Sequence, residues 1–401
     1  MMDISVQHVV STDWLDQPED LWALQDEWQE LAERTDAEVY LRPNWLRVWW
    51  DHFGTGRTLA CLTFRKDGRL AGVLPFCIER LGVGPVAVRF ARLAGTDPHC
   101  MILHLPLEAD IAEAAIRHAI GHLTGPLGCD AVSFTPVSDL AAHLPILRRL
   151  GQDMQGIVLH EASEGGHVVF DLPDNFKDWL GGLSKNRRGQ ISRDLRNLRD
   201  SYGIKSRNIL PNGAGFAGFA AFHDQQWQAQ DKGGHFTDWP GSLAFYSDLA
   251  DRPMSEPPIR LFEMSGKTGP LATTFALVVG RIAHARLPAR TLDPEAERFS
   301  IGKVGLVIMI EELIASGVTL IEAGRGDYDY KLSYGGRSVP VQRLLFYPAH
   351  KAGRARLLVA SADLLHLLYY RVWFLRLAPR MRRWFGLRPR PLWRLWIRSR
   401  V

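Results

Sequence analysis

The segment from Arg298 to Lys331 constrains this chain more than any other. It reads RFSIGKVGLVIMIEELI and then ASGVTLIEAGRGDYDYK. Gly302 and Gly305 open an apolar run of helical period. Gly317 ends that run, and Val318 to Ile321 read as a buried strand. A glycine-rich turn carrying Asp327, Tyr330 and Lys331 follows. A glycine turn at a helix N-terminus offers free backbone N–H groups and the positive end of the helix dipole, which suits a phosphate or pyrophosphate. The polar cluster one strand later is placed to reach a substrate beside it. The pairing points to transfer of a group from a phosphate-bearing donor.

The 401 residues are enough for two or three compact domains, and a hydrophobic content of 46% supplies a sizeable core. The mean hydropathy of −0.11 fits a soluble globular chain. Cys61, Cys77, Cys100 and Cys129 form no C-x-x-C pair and read as reduced thiols of a cytosolic protein, with no metal site. Residues 1–30 lack the basic-then-apolar pattern of a signal peptide. The net charge of +4 is uneven. Residues 351–401 hold 13 Lys+Arg against the single acid Asp363, leaving 35 basic against 43 acidic residues elsewhere. A mildly acidic body argues against a nucleic-acid-coating protein.

Helical spacing predicts helices over Pro18 to Arg34, Pro43 to Phe53 and Ala109 to Leu123. Strands are expected at Thr58 to Phe64 and Leu70 to Ile78, joined by a K-D-G turn, near Val86 to Arg92 and Met101 to Leu105, and at Ala131 to Thr135. A linker is expected at Leu150 to Gly166. The pattern then restarts. Val168 to Leu172 reads as a strand, and Phe176 to Leu183, Ser184 to Asp200 and Phe216 to Gln230 as helices. Strands follow at Ile259 to Met264, Leu271 to Val279, Ile282 to Leu287 and Val341 to Phe346. The repeated element order predicts two α/β (α+β) domains in tandem, 1–160 and 161–350, each a mixed sheet flanked by helices. Residues 351–401 are expected to form a tail of short helices broken by Pro379, Pro389 and Pro391. Asp363, His366, Arg371 and Arg376 argue against a membrane span there.

Several pieces carry a family resemblance: RPNWLRVWWDHFG at 42–54, DGRLAGVLPF at 67–76, GTDPH at 95–99, LSKNRRGQISRDLRNL at 183–198, FHDQQW at 222–227, GRIA at 280–283, SIGKVG at 300–305 and GDYDYK at 326–331. In this order they resemble the FemAB-related branch of the GNAT acyltransferases, in particular BioF-like and CelD-like proteins. Many relatives have Ser-Pro-Gly where this chain has Ser300-Ile301-Gly302. The resemblance implies two tandem GNAT-like domains with the transfer chemistry in the second. It implies an acyl-CoA donor, acetyl or longer, and an amine acceptor on a small molecule or a glycan or lipid precursor of the cell envelope or an exopolysaccharide. An aminoacyl-tRNA donor and a non-catalytic membrane-surface scaffold are the alternatives.

Acyl transfer to an amine needs a base, an electrophile-polarising group and an acid for the leaving thiolate. Asp327 or Glu322 is a candidate base, directly or through water. Tyr330 is a candidate acid, and Lys331 a ligand for a donor phosphate or an acceptor carboxylate. Arg298, Ser300, Gly302, Lys303 and Gly305 form the candidate donor turn. Lys185 and Arg188 lead a basic helix suited to acidic substrates, or to a solvated face. His223 and Trp227, with His235, flank a loop at Gln228 to Asp238 that can line an acceptor pocket. Asp97 and His99, and Asp293 and Glu295, are ambiguous between site and loop. Arginine interleaved with Trp373, Phe374, Trp384, Phe385, Trp393 and Trp396 suits an anionic membrane surface, so 355–401 reads as a peripheral contact on the cytoplasmic side or as a cover for the acidic body.

Overall fold

The computed structural model describes residues 10–82, 87–96, 100–229, 234–254, 257–326 and 328–386. The described chain divides into two compact units, the first comprising the described residues of 10–164 and 341–364, the second those of 165–340 and 365–386.

The first unit opens with β1 (Val10–Leu15), α1 (Pro18–Ala23), α2 (Gln25–Arg34) and α3 (Pro43–Phe53). Then come β2 (Thr58–Lys66), β3 (Arg69–Leu81), β4 (Val88–Leu93), α4 (Ala112–Thr124), β5 (Ala131–Ser138) and α5 (Leu144–Asp153). Asp67 and Gly68 take φ of 52° and 82°, the left-handed pair that a tight hairpin between β2 and β3 requires. Residues 101–105 make only an isolated bridge, Ile102 to Val137, where a strand was expected. The expected linker at Leu150 to Gly166 is instead the end of α5 followed by the long strand β6 (Ile157–Asp171). Its glycines and acids suggest a loop, yet half-buried and exposed residues alternate over 160–166, as on a strand with one wet face.

The second unit continues from β6 with α6 (Phe176–Gly182), α7 (Lys185–Tyr202), β7 (Lys205–Ile209), α8 (Gly213–Ala229), α9 (His235–Asp238) and α10 (Ser242–Asp251). It goes on with β8 (Ile259–Gly266), β9 (Gly269–Val279), β10 (Ile282–Arg290), α11 (Pro294–Glu297), α12 (Ile301–Ala315), β11 (Leu320–Arg325) and α13 (Asp329–Ser333). Next, β12 (Arg337–Pro348) returns to the first unit. A continuous helical arm closes the described chain: α14 (Ala352–Leu367), a π-helical stretch at Leu368–Leu377 and α15 (Ala378–Phe385).

Strand order is β1-β2-β3-β4-β5-β12 in the first unit and β6-β11-β10-β9-β8-β7 in the second. The two orders match element for element. In each, three hairpin-linked strands precede a parallel pair joined through a helix: β4 with β5 through α4, and β10 with β11 through α11 and α12. The first unit's sixth strand comes from the far end of the chain.

Alternation along β12 sets the layers of the first unit. Leu344 and Phe346 enter the core formed with α4 and α5, whereas Leu345 and Tyr347 face the buried Ala355, Val359 and Ala362 of α14. In the second unit, α12 is apolar nearly all round because it is covered on several sides. Its apolar side chains pack on β6, β9, β10 and β11 and against α6 and α7. Gly305 permits the approach to the sheet: a Cβ there would stand 3.1 Å from Ala272 Cβ of β9. On another side an aromatic cluster joins Phe216 and Phe219 of α8 to Phe236, Tyr246 and Phe275.

The expected break at Pro379 is absent. Proline lacks the N–H for an i to i−4 bond and its ring crowds the preceding turn. A π-helical stretch lies immediately before it, where the wider turn leaves more room for the ring, and the helix runs on to Phe385.

Candidate active site

The crossover from β10 through α12 to β11 builds the site. Because β10 and β11 are parallel, their carboxyl ends and the N-terminus of α12 lie at one end of the sheet. The two strands pair only from Ile282↔Leu320 to His284↔Glu322. Past that point β10 stays with β9 as far as Arg290↔Ala272, after a bulge between Ala285 and Leu287. β11 stays with β6, reaching Arg325↔His167 after its own register shift. A gap therefore opens between the carboxyl ends of the two parallel strands.

Part of the β10 edge facing this gap is already occupied. The Thr291 N–H donates to Leu271 O of β9 at 2.8 Å. Polar groups alternate sides along a strand, so those of Pro288 and Arg290 point away from β9. Both are met by α8: His223 Nδ1 donates to Pro288 O at 2.9 Å, and the Arg290 N–H donates to Gln226 Oε1 at 2.9 Å. His223 Nε2 then lies 3.0 Å from His235 Nδ1, with Trp227 edge-on to His235 at 5.0 Å between ring centroids.

Burial pushes the His223 imidazole down to about 4, the bond to Pro288 opposing this only in part. An unfolded histidine titrates near ~6.5. The neutral ring's contribution is thus intact above about pH 6.5 and is lost as pH falls towards 4. Protonated Nε2 would also meet the His235 N–H as a second donor. His223→Gln is expected to flatten the decline in the unfolding midpoint between those pH values, measured by thermal melts of both proteins.

At the gap's other side Glu322 is buried to 1% exposure between two histidines on neighbouring strands. It accepts from His167 Nδ1 at 3.0 Å and from the Gly324 N–H at 2.8 Å, and lies 3.7 Å from His284 Nδ1. Burial works to raise this carboxyl. The hydrogen bond from His167 and the nearby His284 imidazole outweigh it and hold Glu322 well below the usual carboxylate range. Lys331, also buried, donates to Ala323 O at 2.6 Å and sits over the Tyr328 ring at 5.2 Å. Glu322 and Lys331 thus hold the end of β11, through the Gly324 N–H and the Ala323 and Gly324 carbonyls. Tyr330 stacks on Tyr328 at 6.0 Å and is 40% exposed. Partial burial, then the neighbouring Tyr328, raises its hydroxyl above the ordinary 10, so it is protonated at neutral pH. Asp327, Asp97 and His99 lie outside the described residues.

The α12 N-terminus begins abruptly. Ser300 has φ of 54°, a left-handed conformation rare outside glycine. Its carbonyl accepts from both the Lys303 and Val304 N–H groups. Gly302 is exposed, with only Arg290 Cδ, 3.4 Å away, near the space a Cβ would take. Arg298 pairs with Glu295, and Arg290 with Glu297. Asp293 caps α11 through the Glu295 N–H at 3.0 Å and accepts from Tyr202 Oη at 3.0 Å, which gives it a structural task. Lys303 stands near Asp194 of α7. On α7 itself, Arg188 donates to Gly181 O and Leu183 O, closing the end of α6, while Lys185 is exposed.

Topology therefore gathers Arg298, Ser300, Gly302 and Lys303 at the same sheet end as Glu322, Tyr330 and Lys331, with His223 and Trp227 along the β10 edge. Gly305 instead faces β9. His167, His284, Gln226 and Arg290 were not singled out from the sequence. The available signal was a charge or imidazole in an apolar strand, as at His284 and Glu322, which needs a buried partner.

Residues 185–332 match the sequence model of a family described as an acetyltransferase (GNAT) domain. No curated protein matches the chain. The crystal structure of FemX superposes with a TM-score of 0.57 at 10% identity, covering 79% of this chain and 95% of that one. L-PGS from Bacillus licheniformis gives 0.48 at 11% identity, covering 83% and 92%. A tandem GNAT protein from the clavulanic acid biosynthesis pathway gives 0.40 at 12% identity, covering 84% and 98%. The shared fold is drawn from the first of these alone. Residues 185–332 of this chain are thus similar to a GNAT acetyltransferase domain, and the chain shares the fold of FemX.

Proposed function

We propose that this protein is an N-acyltransferase that moves an acyl group from acyl-CoA to an amine. The observation that carries the reading is the gap between the carboxyl ends of β10 and β11 beside the N-terminus of α12. A chain-like donor fits such a gap, and a phosphate fits the helix end. The first-turn amides at Ile301 and Gly302 precede the first intrahelical bonds, and Gly302 leaves room above them. Lys303 and Arg298 would add positive charge. The thioester supplies the activated acyl group when bound.

The chain's own residues then have distinct tasks. Tyr330 Oη holds the proton that a leaving thiolate needs. Glu322 is sealed from solvent and stays ionised, so its task is to orient His167 and His284 with a fixed charge, and an amine proton would leave through an imidazole or a water. His223 and Gln226 keep the outer β10 edge in place, and Trp227 offers a ring to the acceptor. From the resemblance alone, the acceptor is an amine on a cell-envelope or exopolysaccharide precursor. The exposed Arg193, Arg196 and Arg199 of α7 favour a second reading, an aminoacyl-tRNA donor.

The test is calorimetric titration of the purified protein with acetyl-CoA and a long-chain acyl-CoA, with tRNA as competitor. A dissociation constant of roughly micromolar order is expected for one thioester. In Gly302→Val it should weaken by about tenfold or more with the melting temperature unchanged, because the added side chain crowds the helix end and not the core. Salt-sensitive tRNA binding without thioester binding would overturn the acyl-CoA reading and select the tRNA donor.

A further inference from the structure

The arm from Ala349 to Phe385 is a single helix of 37 residues, long and apolar enough by composition to cross a membrane. Its first part is tied down along one face. Ala355, Val359 and Ala362 are buried in the first unit's core. Arg343 of β12 holds Asp363 through two hydrogen bonds, 2.8 and 3.1 Å, and Arg354 donates to Ala87 O at 2.8 Å. Leu357, Leu364 and Leu368 recur at i, i+7 and i+11, on the face opposite the buried one. They are 58%, 54% and 46% exposed, and Leu375 and Trp384 further along are exposed too.

Charge says what suits this face. Residues 351–401 carry twelve Arg and one Lys, and their single acid, Asp363, is neutralised by Arg343. Such a segment repels basic surfaces and is attracted to anionic ones. Leucine, tryptophan and phenylalanine beside arginine match the boundary between headgroups and acyl chains. A crossing is disfavoured: only residues 364–370 separate Asp363 from Arg371, far short of the ~20 apolar residues a span needs.

We propose that the arm docks this protein on the surface of an anionic phospholipid bilayer, with Leu357, Leu364 and Leu368 entering the interface and the arginines meeting lipid phosphates. The proposal is independent of the donor assignment. It is tested by flotation of the full chain with vesicles of phosphatidylcholine alone and of phosphatidylcholine with phosphatidylglycerol. Flotation with the anionic vesicles only, reversed by high salt, is expected. Leu364→Glu with Leu368→Glu should cut binding by at least about tenfold without moving the melting temperature, since both side chains are exposed. Absence of flotation, or equal flotation of the double variant, would overturn it. So would concentration-dependent self-association abolished by the same variant without flotation, which assigns the face to a second copy. Retention through salt and alkaline washing would overturn it in favour of a spanning helix.

Discussion

Glu322→Ala is expected to lose about 3–5 kcal/mol of unfolding free energy, the scale of removing one partner from a buried charged pair. The carboxylate sits among His167, His284 and the Gly324 N–H with almost no solvent contact. Its removal leaves two buried imidazoles and an amide facing a void. Glu322→Gln keeps the volume and one acceptor, so its loss should be smaller; urea unfolding at neutral pH separates the two. The pH dependence has a definite sign. The folded carboxyl is held below its unfolded value of ~4.3, so its contribution is complete above about that pH and is lost as the solution becomes more acidic. In Glu322→Gln this acid-limb loss should be reduced. An alanine variant as stable as the parent would show that the histidine pair does not depend on Glu322.

Tyr330→Phe is expected to lower kcat for acyl transfer by roughly 100-fold, the low end of what a positioned acid contributes, with donor affinity nearly unchanged. The ring remains, so its stacking on Tyr328 at 6.0 Å persists and the turn should not move. Only the proton is lost, and the raised hydroxyl pKa keeps that proton in place through neutral pH. Single-turnover kinetics beside donor titration makes the distinction. Weakened donor binding with normal kcat would recast Tyr330 as a binding residue.

The parts of the fold visible in the sequence are those where one physical signal dominates. The run at 301–315 shows as a helix because its apolar residues recur at helical period over a long stretch and stop before Gly317. Asp67-Gly68 marks the β2–β3 hairpin because few residue pairs tolerate two positive φ angles. By contrast β7, with sequence KSRNI, is almost wholly exposed. Charged edge strands guard against unwanted pairing but bury no face, and so leave no periodic trace. The site divides in the same way. Gly302, Lys303, Tyr330 and Lys331 announce themselves through local spacing. His167 and Glu322 lie 155 positions apart and meet only through strand pairing, which no local window contains. Gly302 and Gly305 look alike in sequence; only the neighbour 3.1 Å away distinguishes a helix packed on a strand from an exposed helix end. In the arm, Pro379 signals a stop, and the π-helical turns before it have no sequence signature of their own.

The late arrival of β12 has a consequence for biosynthesis. Leu344 and Phe346 belong to the first unit's main core, and Leu345 and Tyr347 to its second layer with Ala355 and Val359. Domains ordinarily fold in the order in which they leave the ribosome. Here the nascent N-terminal half must wait with the β5 edge unpaired while residues 165–340 are made, and those residues have a contiguous core available to them first. The polypeptide is thus committed to an inside-out schedule: the unit begun first is completed late, and synthesis halted before β12 leaves the N-terminal sheet without its sixth strand.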